Sequence, residues 1–309
     1  MSRIVVHEVG LRDGLQMEKQ VVPTAQKIAW AEALVSSGVD VVQLGSFVHR
    51  EKVPQMADTD RLFAHFSAPG RKPEGVTLSG LVLNEKGLER GLLCGVELFC
   101  MGVSASETHS RKNTGMSIED ANRRIVAMAK SAVAAGRRAQ VSVQSAFGCG
   151  YEGRVPRERV VAIVKTFLDA GLRSLSLADT AGHATPDDVA ELYALVRTLE
   201  PGAEWACHFH DTYGLALANC WAAYHAGVTT FESSVAGLGG CPFTKIAGGN
   251  TCTEDLVHAL QRGGLRQDID LARLIDVARE LGGHFGREMH GKVHKAGPIE
   301  EPAAAEVSR

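Results

Sequence analysis

Short apolar runs, often β-branched, alternate along this chain with longer stretches whose apolar positions recur every three or four residues. Eight such runs stand out: RIVVHEV, DVVQLG, GVTLSGL, VELFCMG, AQVSVQS, RSLSLAD, EWACHFH and TTFESSV. Their length and composition predict strands. Between most of them lie TAQKIAWAEALVSSG, IEDANRRIVAMAKSAVAAG, RERVVAIVKTFLDAG, DDVAELYALVRTLE and similar segments, with the spacing of helices that cover one face of a sheet. Gly38, Gly136 and Gly171 follow three of these helices as C-cap glycines do. This alternation predicts an α/β fold, a parallel (β/α)8 TIM barrel, with a doubly wound open sheet as the other arrangement it allows.

The length, 309 residues, suits one barrel of about 250 residues with additions. We expect a barrel over residues 1–264, a C-terminal helical extension packed on it over 265–298, and a flexible tail over 299–309. A hydrophobic share of 45% with 33 Gly and 10 Pro describes a globular interior with many turns, and no uncharged apolar window of about 18 residues predicts a membrane span. MSR runs directly into IVVHEV with no targeting pattern, which gives the expectation of a cytoplasmic protein. The cysteines, at 94, 100, 149, 207, 220, 241 and 252, are odd in number and form no Cys-x-x-Cys pair, against a disulfide scaffold. A net charge of -3, with both signs interspersed, supplies no footprint for nucleic acid or an anionic membrane. The expected partner is a small molecule.

A barrel places its chemistry at the C-terminal ends of its strands and in the loops that follow. Polar residues sit there. Arg12 and Asp13 follow strand one, Gln43 lies in strand two, Asp179 follows strand six, and His208 and His210 end strand seven. Two residues apart on a strand, the histidines share a face, which is how two imidazoles converge on a divalent metal. Asp13 can add a carboxylate and Asn250, after Gly248-Gly249, an amide oxygen, a mixed set suited to Mg²⁺ or Mn²⁺ with positions open for substrate. The plainer readings are a turn residue for Asp13, a helix cap for Asn250 and a strand cap for the histidine pair. Arg12 can hold a developing oxyanion or pair structurally with a carboxylate. Cys241, in the Gly-rich GLGGCPF, is placed to exchange a proton or is incidental to a turn, whereas Cys207 in WACHF reads as packing.

The segments VGLRDGLQMEK, SFVHREKVPQMAD, GCGYEGRV, DTAGHATP, HFHDTYGLALAN and SSVAGLGGCPFTKIAGGNTCTEDL resemble, in order and spacing, the 3-hydroxy-3-methylglutaryl-CoA lyase family of the DRE-TIM metallolyases. The similarity runs from about Val5 to about Gly264. It implies a divalent cation, Mg²⁺ or Mn²⁺, on Asp13, His208, His210 and Asn250, with no organic cofactor. It further implies Arg12 as the group that stabilises an enolate, Cys241 as a mobile-loop acid/base, Asp179 and Glu254 as supporting acids, and Gln16 on the substrate, where we also expect Gln43, a departure from the family pattern. An acyl-CoA is then the ligand and a homodimer the assembly. The implied reaction is retro-aldol (Claisen-type) cleavage of a tertiary 3-hydroxyacyl-CoA, such as 3-hydroxy-3-methylglutaryl-CoA to acetyl-CoA and acetoacetate. Asp179 or a histidine-linked water is the candidate first base.

One departure bears on the substrate. Family members carry Glu in a segment like VIETTSF where this chain has VVQLGSF, so neutral Gln43 stands where a carboxylate is expected beside Arg12. This raises citramalyl-CoA, cleaved to acetyl-CoA and pyruvate, as the alternative substrate, and a catalytically impaired acyl-CoA-binding pseudoenzyme as the remote one. Leu11, Gly150 and Ala178 are smaller departures. A zinc amidohydrolase would carry its His-x-His on the first strand, and a Schiff-base aldolase needs an inward strand lysine that RSLSLAD and AQVSVQS lack.

Overall fold

The structure, a computed structural model, describes residues 3–72, 74–240 and 248–299. Cys241 and residues 300–309 of the expected tail lie outside the described residues. All eight apolar runs form strands: β1 Val5–Glu8, β2 Val41–Ser46, β3 Thr77–Leu81, β4 Leu98–Ser104, β5 Arg138–Gln144, β6 Ser174–Asp179, β7 Glu204–Phe209 and β8 Thr230–Ser233. The helices are α1 Thr24–Ser36, α2 Thr59–Ser67, α3 Glu85–Leu93, α4 Glu107–Thr114, α5 Ile118–Ala134, α6 Arg157–Asp169, α7 Pro186–Arg197, α8 Ala216–His225, α9 Thr253–Arg262, α10 Leu271–Phe285 and the short α11 Val293–Ala296.

Each strand pairs in parallel with the next, and β8 closes on β1 with Val5 opposite Thr230 and Glu8 opposite Ser233. Closure decides for the TIM barrel and against the open sheet. The helices start where the sequence supplies caps. Ser117 Oγ accepts from Asp120 N (3.1 Å) at α5, and Thr185 and Asp188 form a reciprocal capping box at α7 with Pro186 at the first helical position. Gly38, Gly136 and Gly171 take φ values of 92°, 74° and 83°, as expected of residues that end helices.

Apolar side chains fill the layer between strands and helices, where Trp30, Phe99, Phe167, Tyr193, Phe209 and Phe231 are buried. α10 packs against both α9 and α1, with Trp30 of α1 edge-on to His284 at 5.2 Å. Arg266, just before α10, donates to Ile4 O (2.8 Å) and Gly38 O (3.0 Å), which ties this part of the chain to the region around β1. No helix among the described residues is long and apolar enough to cross a membrane.

Candidate metal centre and active site

Strand alternation selects which side chains enter the barrel. Gln140, Ser142 and Gln144 of β5 and His208 with the following His210 line one cavity of about 340 Å³, while Trp205, Cys207 and Phe209 of β7 are buried among the apolar core. Arg12, Asp13, Gln16, Gln43, Ala178, Thr180, Glu232 and Gly240 line the same cavity. After β1 the chain makes a single π-helical turn, Gly10–Gly14, which brings Arg12 and Asp13 to the barrel mouth. Asn250 arrives through an isolated antiparallel bridge to His210, supported by Asp211 N to Gly249 O at 2.7 Å. Glycine is required at 249, because a Cβ there would stand 1.9 Å from Gly237 O.

Asp13, His208 and His210 place one ligand atom each within 4.8 Å of the others, all buried. The Nε2 atoms of the two histidines face each other at 3.2 Å, and Asp13 Oδ2 lies 3.7 and 3.8 Å from them. Each Nδ1 has its own acceptor: Glu232 Oε2 at 3.1 Å for His208 and Gly248 O at 3.4 Å for His210. With Nδ1 of each ring turned to its acceptor, both Nε2 atoms and a carboxylate converge on one space. Asn250 donates Nδ2 to Asp13 Oδ2 (2.9 Å) and to Leu238 O (2.9 Å), and its buried Oδ1 has no hydrogen-bond partner. An orphaned amide oxygen beside this group is the donor that a bound cation satisfies. The residues fit a divalent cation.

Electrostatics agree with that fit. Burial disfavours the Asp13 carboxylate, yet Arg12, the two histidines and the Asn250 amide outweigh it and hold the group well below the usual carboxylate range. Burial, then the neighbouring His208, pushes His210 down to about 4, leaving it neutral and able to coordinate at neutral pH. Arg12 is fixed by Nε to Gln43 Oε1 and Nη1 to Asp13 Oδ1, and Gln16 Nε2 donates to Asp13 Oδ1 at 3.1 Å.

Two predicted site residues stand elsewhere. Asp179 is fully buried but does not line the cavity. It follows Ala178, which does, and its two oxygens accept from His183 N (2.9 Å) and Ala184 N (2.8 Å), organising the turn before α7. Glu254 at the start of α9 accepts from Ala236 N (3.0 Å) and lies 2.9 Å from His294 Nδ1, behind the loop that carries Asn250. Ala236 needs that support, since it holds φ 62° without being glycine. Sequence reasoning missed Glu232 and Gln140, joined by Gln140 Nε2 to Glu232 Oε1 at 2.8 Å. The signal was present: in TFES the strand period that buries Phe231 sends Glu232 inward, opposite His208 in register.

The HMGL-like family pattern matches residues 3–281. The chain belongs to the HMGL-like family. It is similar to the hydroxymethylglutaryl-CoA lyase of Bacillus subtilis, 34% identical over 93% of this chain and 95% of that protein. It is also similar to the 3-hydroxy-3-isohexenylglutaryl-CoA/hydroxymethylglutaryl-CoA lyase of Pseudomonas aeruginosa, 37% identical over 96% and 97% of the two chains. Among solved structures, the B. subtilis HMG-CoA lyase superposes with a TM-score of 0.91 at 33% identity, covering 96% of this chain and 98% of that one. An HMG-CoA lyase of Acinetobacter baumannii, solved with coenzyme A and 3-methylmalate, superposes at 0.90 with 33% identity and 97% of each chain covered. The barrel, its mouth and the family pattern therefore coincide over nearly the whole chain.

Proposed function

We propose that this HMGL-like protein cleaves a 3-hydroxy-3-methyl acyl-CoA by a retro-aldol (Claisen-type) reaction, with 3-hydroxy-3-methylglutaryl-CoA giving acetyl-CoA and acetoacetate. One observation carries the reading: Asp13, His208, His210 and the orphaned Asn250 Oδ1 converge at a barrel mouth that Arg12 also lines. A divalent cation held by these four residues, Mg²⁺ or Mn²⁺ from the oxygen-rich donor set, would bind the substrate hydroxyl and a neighbouring oxygen and acidify that hydroxyl. Arg12 supplies the charge for the thioester oxygen that becomes the enolate, and its contacts to Gln43 and Asp13 fix the guanidinium beforehand. Gln16 steadies Asp13 from the other side. Cys241, next to the cavity-lining Gly240, gives its thiol proton to the enolate carbon. Asp179 holds the turn before α7 and Glu254 holds Ala236, so both act as positioning residues, and a histidine-linked water takes the hydroxyl proton. A cytoplasmic location suits a chain whose six described cysteines are all free.

A specific observation favours a second substrate. Gln43 presents a neutral amide to Arg12 where both line the cavity, and a relative 33% identical is solved in complex with coenzyme A and 3-methylmalate. Citramalyl-CoA, cleaved to acetyl-CoA and pyruvate, is that alternative. The test is a coupled assay of both esters with Mg²⁺ or Mn²⁺, following acetoacetate and pyruvate. Metal-dependent release of either product supports the lyase reading, and the product formed faster names the substrate. No turnover of either ester by the metal-loaded protein would reject the reading in favour of a binding protein.

A further inference from the structure

Asp13 and Asn250, 237 residues apart in sequence, meet at the barrel mouth from two different turns, and one buried carboxylate joins those turns. Glu8, the last residue of β1, is fully buried and is not among the residues that line the cavity. Its Oε1 accepts from Gly10 N at 2.7 Å, in the π-helical turn that carries Arg12 and Asp13, and from Val235 N at 3.1 Å, in the turn after β8. Its Oε2 accepts from Oγ1 of Thr253, which opens α9 three residues after Asn250. Thr253 Oγ1 also lies 2.8 Å from Ser233 Oγ, at the end of β8. The two turns are in close contact around this clasp. A Cβ added at Gly14 would stand 2.6 Å from Leu238 Cβ, and Leu238 O accepts from Asn250 Nδ2 at 2.9 Å.

We propose that Glu8 is a positioning residue for the metal group: by clasping the turn after β1 to the turn after β8 and the start of α9, its carboxylate sets the separation of Asp13 from Asn250. This role rests on the reading of Asp13, His208, His210 and Asn250 as metal ligands. A carboxylate with three donors from three segments fixes their spacing, because shifting any one segment breaks a hydrogen bond where burial leaves no water to replace it. Asp13 and Asn250 depend on that spacing. Asn250 Nδ2 donates to Asp13 Oδ2 at 2.9 Å, and this contact turns the amide so that Oδ1 is left free for an ion. Glutamine at position 8 can keep all three contacts, since Oε1 accepts from both N–H groups and Nε2 donates to Thr253 Oγ1 while that hydroxyl turns to Ser233. Alanine keeps none of them.

The experiment strips the full chain with a chelator, then measures Mn²⁺ affinity by calorimetric titration and the number of waters on the bound ion by water-proton relaxation. Glu8→Ala should weaken binding by about tenfold or more, as loss of an outer partner does, and should add a water to the ion as Asn250→Ala does. Glu8→Gln should stay within about twofold of wild type, because its contacts survive. In the Asn250→Ala background the effect of Glu8→Ala should shrink to about threefold or less, since the ligand it places is already gone. Thr253→Val, close in shape to the native residue, serves if the alanine variant does not fold, and its loss of affinity should shrink in the same background. Wild-type affinity in Glu8→Ala, an unmoved water count, or an equal effect with and without Asn250 would overturn the role of Glu8 while leaving the metal ligands in place. No Mn²⁺ binding by wild type would reject the metal reading and this role with it.

Discussion

His208 Nδ1 lies 3.1 Å from Glu232 Oε2, at paired positions of β7 and β8. The carboxylate fixes the ring proton on Nδ1 and turns Nε2 toward Asp13 and His210, while Gln140 holds the other carboxylate oxygen at 2.8 Å. Burial opposes the charge on Glu232, but the His208 hydrogen bond outweighs it and keeps the group ionised. Outer partners of this kind are typically worth about 10- to 100-fold in metal affinity. Glu232→Gln should therefore weaken Mn²⁺ binding in that range, read by calorimetric titration, and His208→Ala should abolish it at the mouth. Unchanged Mn²⁺ affinity in Glu232→Gln would remove Glu232 from the account.

Cys241 follows Gly240 at the edge of the cavity, and a positioned acid contributes about 10² to 10⁴ in rate. Cys241→Ala should lower kcat by that order while the melting temperature stays within a few degrees of wild type. Stoichiometric alkylation of Cys241 with turnover intact would contradict the assignment.

A third expectation concerns pH. Glu8 is fully buried, and burial raises its carboxyl from 4.5 to about 7 despite hydrogen bonds from Thr253 Oγ1, Val235 N and Gly10 N. A raised carboxyl favours the folded state below its unfolded value, and that contribution is lost as pH rises through about 7. Glu8→Gln mimics the protonated acid at every pH. Relative to wild type, the variant should gain stability between pH 5 and pH 8, by about 3 kcal/mol from a shift of that size, measured by urea denaturation at the two values. A pH-independent difference would show that Glu8 does not titrate in this window.

Much of this was legible in the sequence, for a physical reason. Parallel strands buried on both sides read as continuous apolar runs, and eight of them with intervening amphipathic helices leave few folds. The residues that meet at the mouth were legible because each follows or ends a strand, where a barrel gathers its loops. The roles of Asp179 and Glu254 were not. Their position in sequence places them near the mouth, but which face a strand end presents, and whether a carboxylate is taken by backbone N–H groups of the next turn, depends on local geometry. The His294 contact to Glu254 spans 40 residues and carries no periodic signal.

Gln43 decides how Arg12 is balanced. Its Oε1 accepts from Arg12 Nε in a buried setting, so the guanidinium is held without being neutralised from that side. A carboxylate at this position would compensate Arg12 and repel a substrate carboxylate held near the metal group, whereas the amide does neither. Citramalyl-CoA carries its carboxylate directly on the carbinol carbon and gains most from that missing repulsion. The charge of 3-hydroxy-3-methylglutaryl-CoA lies one methylene further out and gains less. Gln43→Glu should therefore shift the ratio of kcat/KM toward the glutaryl ester by about tenfold or more, equivalent to about 1.4 kcal/mol of differential transition-state binding. Steady-state kinetics with both esters check it, and the same ratio in wild type and variant would show that Arg12 does not read the substrate through this residue.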